Sequence, residues 1–407
     1  MLVRALTSMD ALASRFGLLG PLFSAEEAIA LARNRSGSRD FGTVDVTEPL
    51  QHLLTACAEE AELSLVGQYT LRWDVVRLLS NTLRLRAEES SKPRILEEPI
   101  RRPVFITGLP RSGTTFLHRL LLQDPDACAP RVWQTISPYP PRGAARAVKQ
   151  VRRQLRSFDL LAPQFRDLHP LEADSPQECS EIASHVFRSL RFDTTYHVPS
   201  YRRWLDNTGY LAAYGFQRRF LQHLQARQRL CRWVLKCPDH VFALNDLRAV
   251  FPDARIIFVH RDPLQVLASV AKLTEVLRAP FTRRIDRREI GRQESARWLE
   301  GSEHMIRASM EVAFSEPICH VHFANLVADP VQTVANIYRH FDMDLGGPVI
   351  KRVARAAADP PNGYRSRPYQ LEEYGLRSAI EHEKFRHYMK FFDIQTHRYP
   401  EAAVNAG

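Results

Sequence analysis

The sequence predicts an α/β fold, a parallel sheet flanked by helices, with a helical N-terminal region over 1–98, a sheet-bearing region over 99–345 and a C-terminal loop and helices over 346–407 closing the core. Three observations predict it. Short apolar or β-branched runs stand at 103–107, 232–236, 255–260 and 318–323, each ahead of a helical stretch, the alternation that builds parallel sheets covered on both faces. Before residue 98, "VTEPLQHLLTACAEEAELSLVGQYTLRWDVVRLLSNTLRLRAEES" alternates apolar and polar residues at helical spacing without a strand-like run. After Phe341 the pattern returns to helix, loop and helix, the loop being "AADPPNGYRSRPYQ" at 357–370.

Composition narrows the function. At 407 residues and 44% hydrophobic, the chain can bury one large core or two smaller ones. No uninterrupted apolar run approaches the roughly 18 residues of a membrane span. Arg, Asp and Ser interrupt any signal-peptide core in "MLVRALTSMDALASRFGLLG", so the expected compartment is the cytoplasm. The six cysteines (57, 128, 179, 231, 237 and 319) show neither a C-x-x-C pair nor Cys/His ligand spacing, which argues for reduced thiols and against a disulfide framework or a zinc site. The formal net charge of +10 calls for anionic partners: nucleic acid, an anionic membrane surface or a polyanionic cofactor. Arginine clusters at 142–156 and 278–292 read as basic helix faces. The lack of zinc-finger spacing, RNP-like aromatics and basic-zipper heptads argues against nucleic acid.

The first stretch with chemistry is "RRPVFITGLPRSGTTFLHRLL", 101–121: an apolar strand, a glycine turn and the start of a helix. Gly108 and Gly113 keep the spacing of a Walker A loop, but threonine replaces its lysine, so magnesium-dependent NTP chemistry loses a main handle. The helix N-terminus still favours an anion, Thr114 and Thr115 offer hydroxyls, and Arg111 offers a planar fork suited to sulfate or phosphate. In "DARIIFVHRDPLQVLASV", 253–270, a second strand ends at Arg261. Asp262 and Pro263 supply an N-cap and a first-turn proline, and Ser269 lies about two turns on, within reach of a second anion if its helix leans that way. In "RWVLKCPDHVFALNDL", 232–247, a strand delivers Lys236 to its carboxyl end, where ligand crevices of open α/β sheets lie and where a cation can offset charge on a leaving oxygen. "HRD" at 260–262 and "DFG" at 40–42 occur in the wrong order for a kinase, and no G-x-G-x-x-G loop or Walker B carboxylate accompanies them.

Two separated anion sites with cations between them suit 3′-phosphoadenosine 5′-phosphosulfate (PAPS), and the chain resembles PAPS-dependent sulfotransferases. "GLPRSGTTFLHRLL" resembles their 5′-phosphosulfate loop, which implies that Arg111, Ser112, Gly113, Thr114 and Thr115 hold the 5′ end of the nucleotide. "HRDPLQVLAS" resembles their 3′-phosphate motif, implying the same for Arg261 and Ser269. Lys236 in "LKCPDH" is similar to a family lysine that contacts the bridging oxygen. The resemblance extends over "FGTVDVTEPLQHLL", "YHVPSYRRWL", "WVLKCPDHVFAL" and "NLVADPVQTVANIYRHF" to bacterial sulfotransferases of the hydroxy-menaquinone type. It implies a sulfotransferase fold, PAPS as donor, 3′,5′-bisphosphoadenosine (PAP) as product, no catalytic metal and a hydrophobic hydroxylated acceptor.

Many relatives carry a glutamate base shortly after the phosphate loop, beside a tryptophan. Here "RVWQT" places Gln134 there, and an amide cannot accept the proton. "DLHPLEADSPQECSEIASHVFRS", 167–189, offers instead His169, or Glu178 in an element resembling the subgroup's "E-C", with Asp174 and His185 as further candidates. His118 reads as a packing or substrate-wall residue. "HVPSYRRWL" and "YGFQRRFLQHL" could wall the acceptor cleft, and "NGYRSRPY" brings Arg365 and Arg367 into a segment expected to fold over the cofactor. A lipid-like acceptor would be met at an anionic membrane face, with the basic clusters aiding contact. The competing readings are a nucleotide-dependent phosphotransferase and a PAPS-binding protein without turnover.

Overall fold

The structure is a computed structural model that describes residues 22–140, 143–228, 230–311, 317–358 and 370–395. Arg365 and Arg367 lie outside the described residues. Helices of eight residues or more are labelled in chain order: α1 Ala25–Ser36, α2 Thr47–Glu59, α3 Leu65–Ser91, α4 Thr114–Leu121, α5 Ala144–Leu161, α6 Pro199–Thr208, α7 Leu211–Gln225, α8 Pro263–Arg278, α9 Arg287–Met310, α10 Pro330–His340 and α11 Gly347–Ala358. The strands are β1 Val104–Gly108, β2 Ala127–Cys128, β3 Arg232–Lys236, β4 Arg255–His260 and β5 Cys319–His322.

All pairings are parallel, in the order β2-β3-β1-β4-β5. The strands expected at 232–236 and 255–260 stand as read. The last ends earlier, at His322, because Phe323 opens a helical turn instead, Phe323–Ala328. β2 is an addition that the sequence does not signal: two residues at the sheet edge, with no β-branched run to mark them.

β1 and β4 are buried along their whole length, as strands covered on both faces must be. Their side chains alternate between two cores. Phe105, Leu235 and Phe258 face a core shared with Leu71 and Leu78 of α3 and Phe216 and Phe220 of α7. Ile106, Val234, Ile257 and Val259 face Leu117 and Leu120 of α4 and Val334 and Ile337 of α10. The helices before residue 92 therefore share one apolar core with the sheet. Local signals set their ends: the Ser24 hydroxyl accepts from Glu27 N–H while the Glu27 carboxylate accepts from Ser24 N–H, and the Ser64 hydroxyl caps α3 through Gly67 N–H at 2.9 Å.

The two arginine clusters differ. Arg146, Lys149, Arg152, Arg153 and Arg156 are exposed on α5, as expected of a basic helix face. The second cluster is not one face: Arg278 is buried at the end of α8, Arg283 and Arg284 lie in the connection to α9, and only Arg287, Arg288 and Arg292 sit on α9. The expectation of six reduced thiols is also overturned. Cys128 and Cys231 form a disulfide, because β2 and the residue before β3 become neighbours only when the sheet assembles. Cys57, Cys179, Cys237 and Cys319 are free and buried.

Candidate functional site

β1 lies at the centre of the sheet with β3 and β4 on either side, so the carboxyl ends of three adjacent strands present the 108–115 loop, Lys236 and Arg261 together. This is where the strand order reverses, the usual ligand crevice of open α/β sheets. The loop has a conformation that its glycines make possible. Gly108 has φ +139°, and a Cβ there would lie 2.4 Å from Val259 O on β4. Gly113 has φ +97° as the residue before α4, and a Cβ would meet the Phe323 ring at 2.7 Å. Arg111 itself takes φ +60°, an uncommon backbone state for a side-chain-bearing residue and one concentrated at ligand clamps.

The two motifs of the sequence are physically joined. Arg111 Nε donates to Ser269 Oγ at 3.1 Å and its Nη1 to Leu168 O at 2.7 Å. Arg261 Nη1 donates to Arg111 O at 2.7 Å, its other nitrogens donate to Gln265 Oε1, and its guanidinium sits 4.1 Å from the centre of the Phe323 ring. The Asp262 carboxylate caps α8 by accepting from Leu264 N–H at 2.9 Å, and Pro263 takes the first turn. α8 thus leans so that Ser269 reaches the loop. Thr114 is buried at the start of α4 and Thr115 is exposed. Ser112 Oγ is buried without a hydrogen-bond partner among the described residues, the condition of a hydroxyl whose partner is an external group.

Beside the loop, Lys236 and Glu178 form an ion pair. Lys236 is 3% exposed, so its charge needs that partner. Burial pushes the Glu178 carboxyl up, but Lys236, then His169 and His118, outweigh it and hold it below the usual carboxylate range. His169 feels the same groups: burial lowers its imidazole to about 4, with Glu178 raising it and Lys236 and Arg111 lowering it. It is therefore neutral at physiological pH. His118 is lowered to about 4, first by burial and then by Lys236. A small cleft adjoins the pair: Cys179 and Cys237, each next in the chain to Glu178 and Lys236, line it with Tyr210, Tyr214, Asp239 and His240.

The Sulfotransferase family profile matches residues 103–346, from the first residue before β1 to beyond α10. The chain belongs to the sulfotransferase family. It is similar in structure to two mycobacterial sulfotransferases. STF9 from Mycobacterium avium aligns over 91% of this chain and 97% of its own, with TM-score 0.79 and 27% identity. STF1 from Mycobacterium tuberculosis H37Rv aligns over 90% and 99%, with TM-score 0.78 and 31% identity. In sequence, it is 25% identical over 284 residues to the omega-hydroxy-beta-dihydromenaquinone-9 sulfotransferase Stf3 of Mycobacterium bovis, covering 66% of this chain and 70% of that protein. The protein is thus an enzyme of the sulfotransferase type. Among the described residues, no helix is long and apolar enough to cross a membrane, and no group of His, Cys, Asp and Glu residues could hold a metal ion.

Other residues weighed in the sequence have structural partners. Gln134 Oε1 accepts from Arg131 N–H at 2.9 Å and caps its own short helix, Val132–Ile136. Asp174 is exposed and engages Arg152 and Arg131. His185 is fully buried against α3, with Nε2 3.3 Å from Asn81 and Nδ1 3.1 Å from Glu181 O. His118 Nε2 donates to Val234 O at 2.9 Å and packs α4 on β3. Of the two aromatic stretches, Tyr201 donates to Phe187 O inside the core, and Phe216 and Phe220 are core residues, while Tyr214 does line the cleft.

Asp239 escapes sequence reasoning, although it stands in the quoted "LKCPDH". Burial first, then Glu178, push its carboxyl from an ordinary 3.8 up to about 7. A carboxyl raised on folding contributes stability that is complete below its unfolded value, near pH 4, and is lost as pH rises through 7. The Tm of the wild type should accordingly fall between about pH 4 and pH 7 and level off above that, and the fall should be smaller in Asp239→Asn. Parallel Tm curves for the two proteins would remove this assignment.

Proposed function

We propose that this enzyme transfers the sulfuryl group of PAPS to the hydroxyl of a hydrophobic, lipid-like acceptor. The observation that carries the reading is the joining of the 108–115 loop to Arg261 and Ser269 through the Arg111 side chain and carbonyl, which makes one anion-binding surface from two distant segments. The orphaned Ser112 hydroxyl and the glycine cradle fit a ligand rich in acceptor oxygens. In this reading Arg111, Ser112, Gly113, Thr114 and Thr115 hold the 5′ end, and Arg261 with Ser269 holds the 3′-phosphate.

Bound PAPS supplies an activated sulfuryl group, whose passage to the acceptor oxygen leaves PAP behind. The chain's own work is positioning and charge management. Glu178, kept ionised by Lys236, is the acceptor of the hydroxyl proton. His169 stays neutral beside it and shapes the approach of that hydroxyl. Lys236 carries positive charge to the leaving oxygen. Tyr210 and Tyr214, on the wall of the adjoining cleft, would meet the hydroxyl-bearing end of the acceptor.

The similarity to an omega-hydroxy-beta-dihydromenaquinone-9 sulfotransferase supports a lipid-like acceptor. Exposed Arg283, Arg284 and Arg288 support its presentation at an anionic membrane face, where a peripheral, cytoplasmic enzyme would meet it. The test is transfer of labelled sulfate from PAPS to hydroxylated lipids and quinones held in anionic or neutral vesicles, read by mass shift, against ATP with magnesium. Sulfated lipid formed faster on anionic vesicles is the expected result. Phosphoryl transfer from ATP, or PAP binding without transfer to any acceptor, would overturn the reading.

A further inference from the structure

The Cys128–Cys231 disulfide joins positions 103 residues apart across the weakest edge of the sheet. Strand β2 is two residues long and registers on β3 only through Ala127 with Arg232 and Cys128 with Trp233. A pairing that short is marginal without help. Each half of the bridge leads to one member of the Glu178–Lys236 pair. Beyond Cys128, Gln177 N–H donates to Pro130 O at 2.8 Å, Val132 N–H to Ser175 O at 3.0 Å and Trp133 N–H to Ala173 O at 2.9 Å. The 130–133 stretch therefore holds 173–177, and Glu178 is the next residue. Beyond Cys231, β3 runs directly to Lys236. The outcome is a closed frame, covalent at one end and ionic at the other.

We propose that this disulfide is a redox-responsive positioning device that holds Glu178 against Lys236, so that its reduction slows transfer and spares nucleotide binding. The inference rests on the assignment of Glu178 and Lys236 to the transfer step. Opening the bridge returns the entropy of a long loop to the edge of the sheet and leaves β2 with its two registered pairs. The nucleotide loop follows β1, which is clamped between β3 and β4 at the sheet's centre and does not depend on β2. Both bridging cysteines are half-buried and within reach of a small dithiol, whereas the other four are buried. In the exchange the dithiol supplies two electrons and two protons: its own sulfurs join, the Cys128–Cys231 bond breaks and two thiols form.

The experiment uses the full chain purified without reductant. Alkylation and peptide mapping should find Cys128 linked to Cys231, and free thiols at both positions in the native protein would overturn the proposal. Dithiothreitol should lower kcat on the order of tenfold, keep the Kd for PAP within about twofold, and move the acid limb of the kcat profile up toward the ordinary carboxylate range, as Glu178 loses its lysine. A change in Tm alone could not produce that limb shift. Oxidised glutathione should restore turnover, and the C128S/C231S double variant should match the reduced enzyme and ignore dithiothreitol. Equal kcat and equal acid limbs in the oxidised and reduced states would overturn the proposal, as would a parallel rise in Kd. Hydrogen exchange separates this failure from that of the Glu178 assignment. Should Glu178→Gln leave kcat unchanged, faster exchange at 128–133 and 173–178 on reduction would still support the frame, and unchanged exchange would end it.

Discussion

Replacement of Glu178 by glutamine is expected to lower kcat by roughly 10²–10⁴-fold, the usual contribution of a positioned proton acceptor, while PAP binding stays close to wild type. The reason lies in charge. Glutamine keeps an oxygen for the Lys236 ammonium but cannot take a proton from the acceptor hydroxyl. Because Lys236 is buried, losing a full negative partner will also lower Tm, and PAP calorimetry on the variant confirms that the site is folded. The pH dependence has a definite sign. A carboxyl held below its ordinary range contributes its ion-pair stability above the unfolded value and loses it as pH falls through the lower, folded one. Turnover should therefore be flat on the acid side of neutrality and fall only below the ordinary carboxylate range, and the same limb should be missing from the residual rate of Glu178→Gln. His169→Asn is the companion measurement. A larger loss at His169 than at Glu178 would move the proton to the imidazole and leave Glu178 as its orienting partner.

The second large effect is on binding. Arg111→Gly and Arg261→Gln should each weaken PAP by about ten- to hundredfold, the value of one or two hydrogen bonds to a charged group. Glycine is the right replacement at 111 because the native φ of +60° is one that glycine adopts freely. It also keeps the Arg111 carbonyl that accepts from Arg261, so only the guanidinium and its link to Ser269 are removed. Isothermal titration at two salt concentrations checks the claim: wild-type affinity should fall with salt, and each variant should show a shallower fall. Unchanged Kd in both variants would displace the nucleotide from this crevice altogether.

Much of the donor side is legible in the amino-acid order itself. The 101–121 stretch announces strand, turn and helix within twenty-one residues, and each part is set by neighbours in sequence: an apolar run, glycines at positive φ, and a helix that starts where the turn ends. The Arg261–Ser269 motif is legible for the same reason, since an N-cap aspartate and a first-turn proline fix where α8 begins. The acceptor side is only partly legible. Glu178 and His169 stand out as alternatives, while the surface ion pair of Asp174 and the core packing of His185 are visible only in the structure.

What the amino-acid sequence alone determined is the α/β class, the glycine loop after β1 and the Asp262–Pro263 start of α8, because these arise from contacts between residues a few positions apart. Tertiary structure decided the rest. The Glu178–Lys236 pair, the raised carboxyl of Asp239 and the Cys128–Cys231 bond all depend on segments that meet only when the parallel sheet closes. Parallel strands pair across long crossovers, so the groups they bring together share no local signal, and their charges are set by burial that no short window of sequence contains.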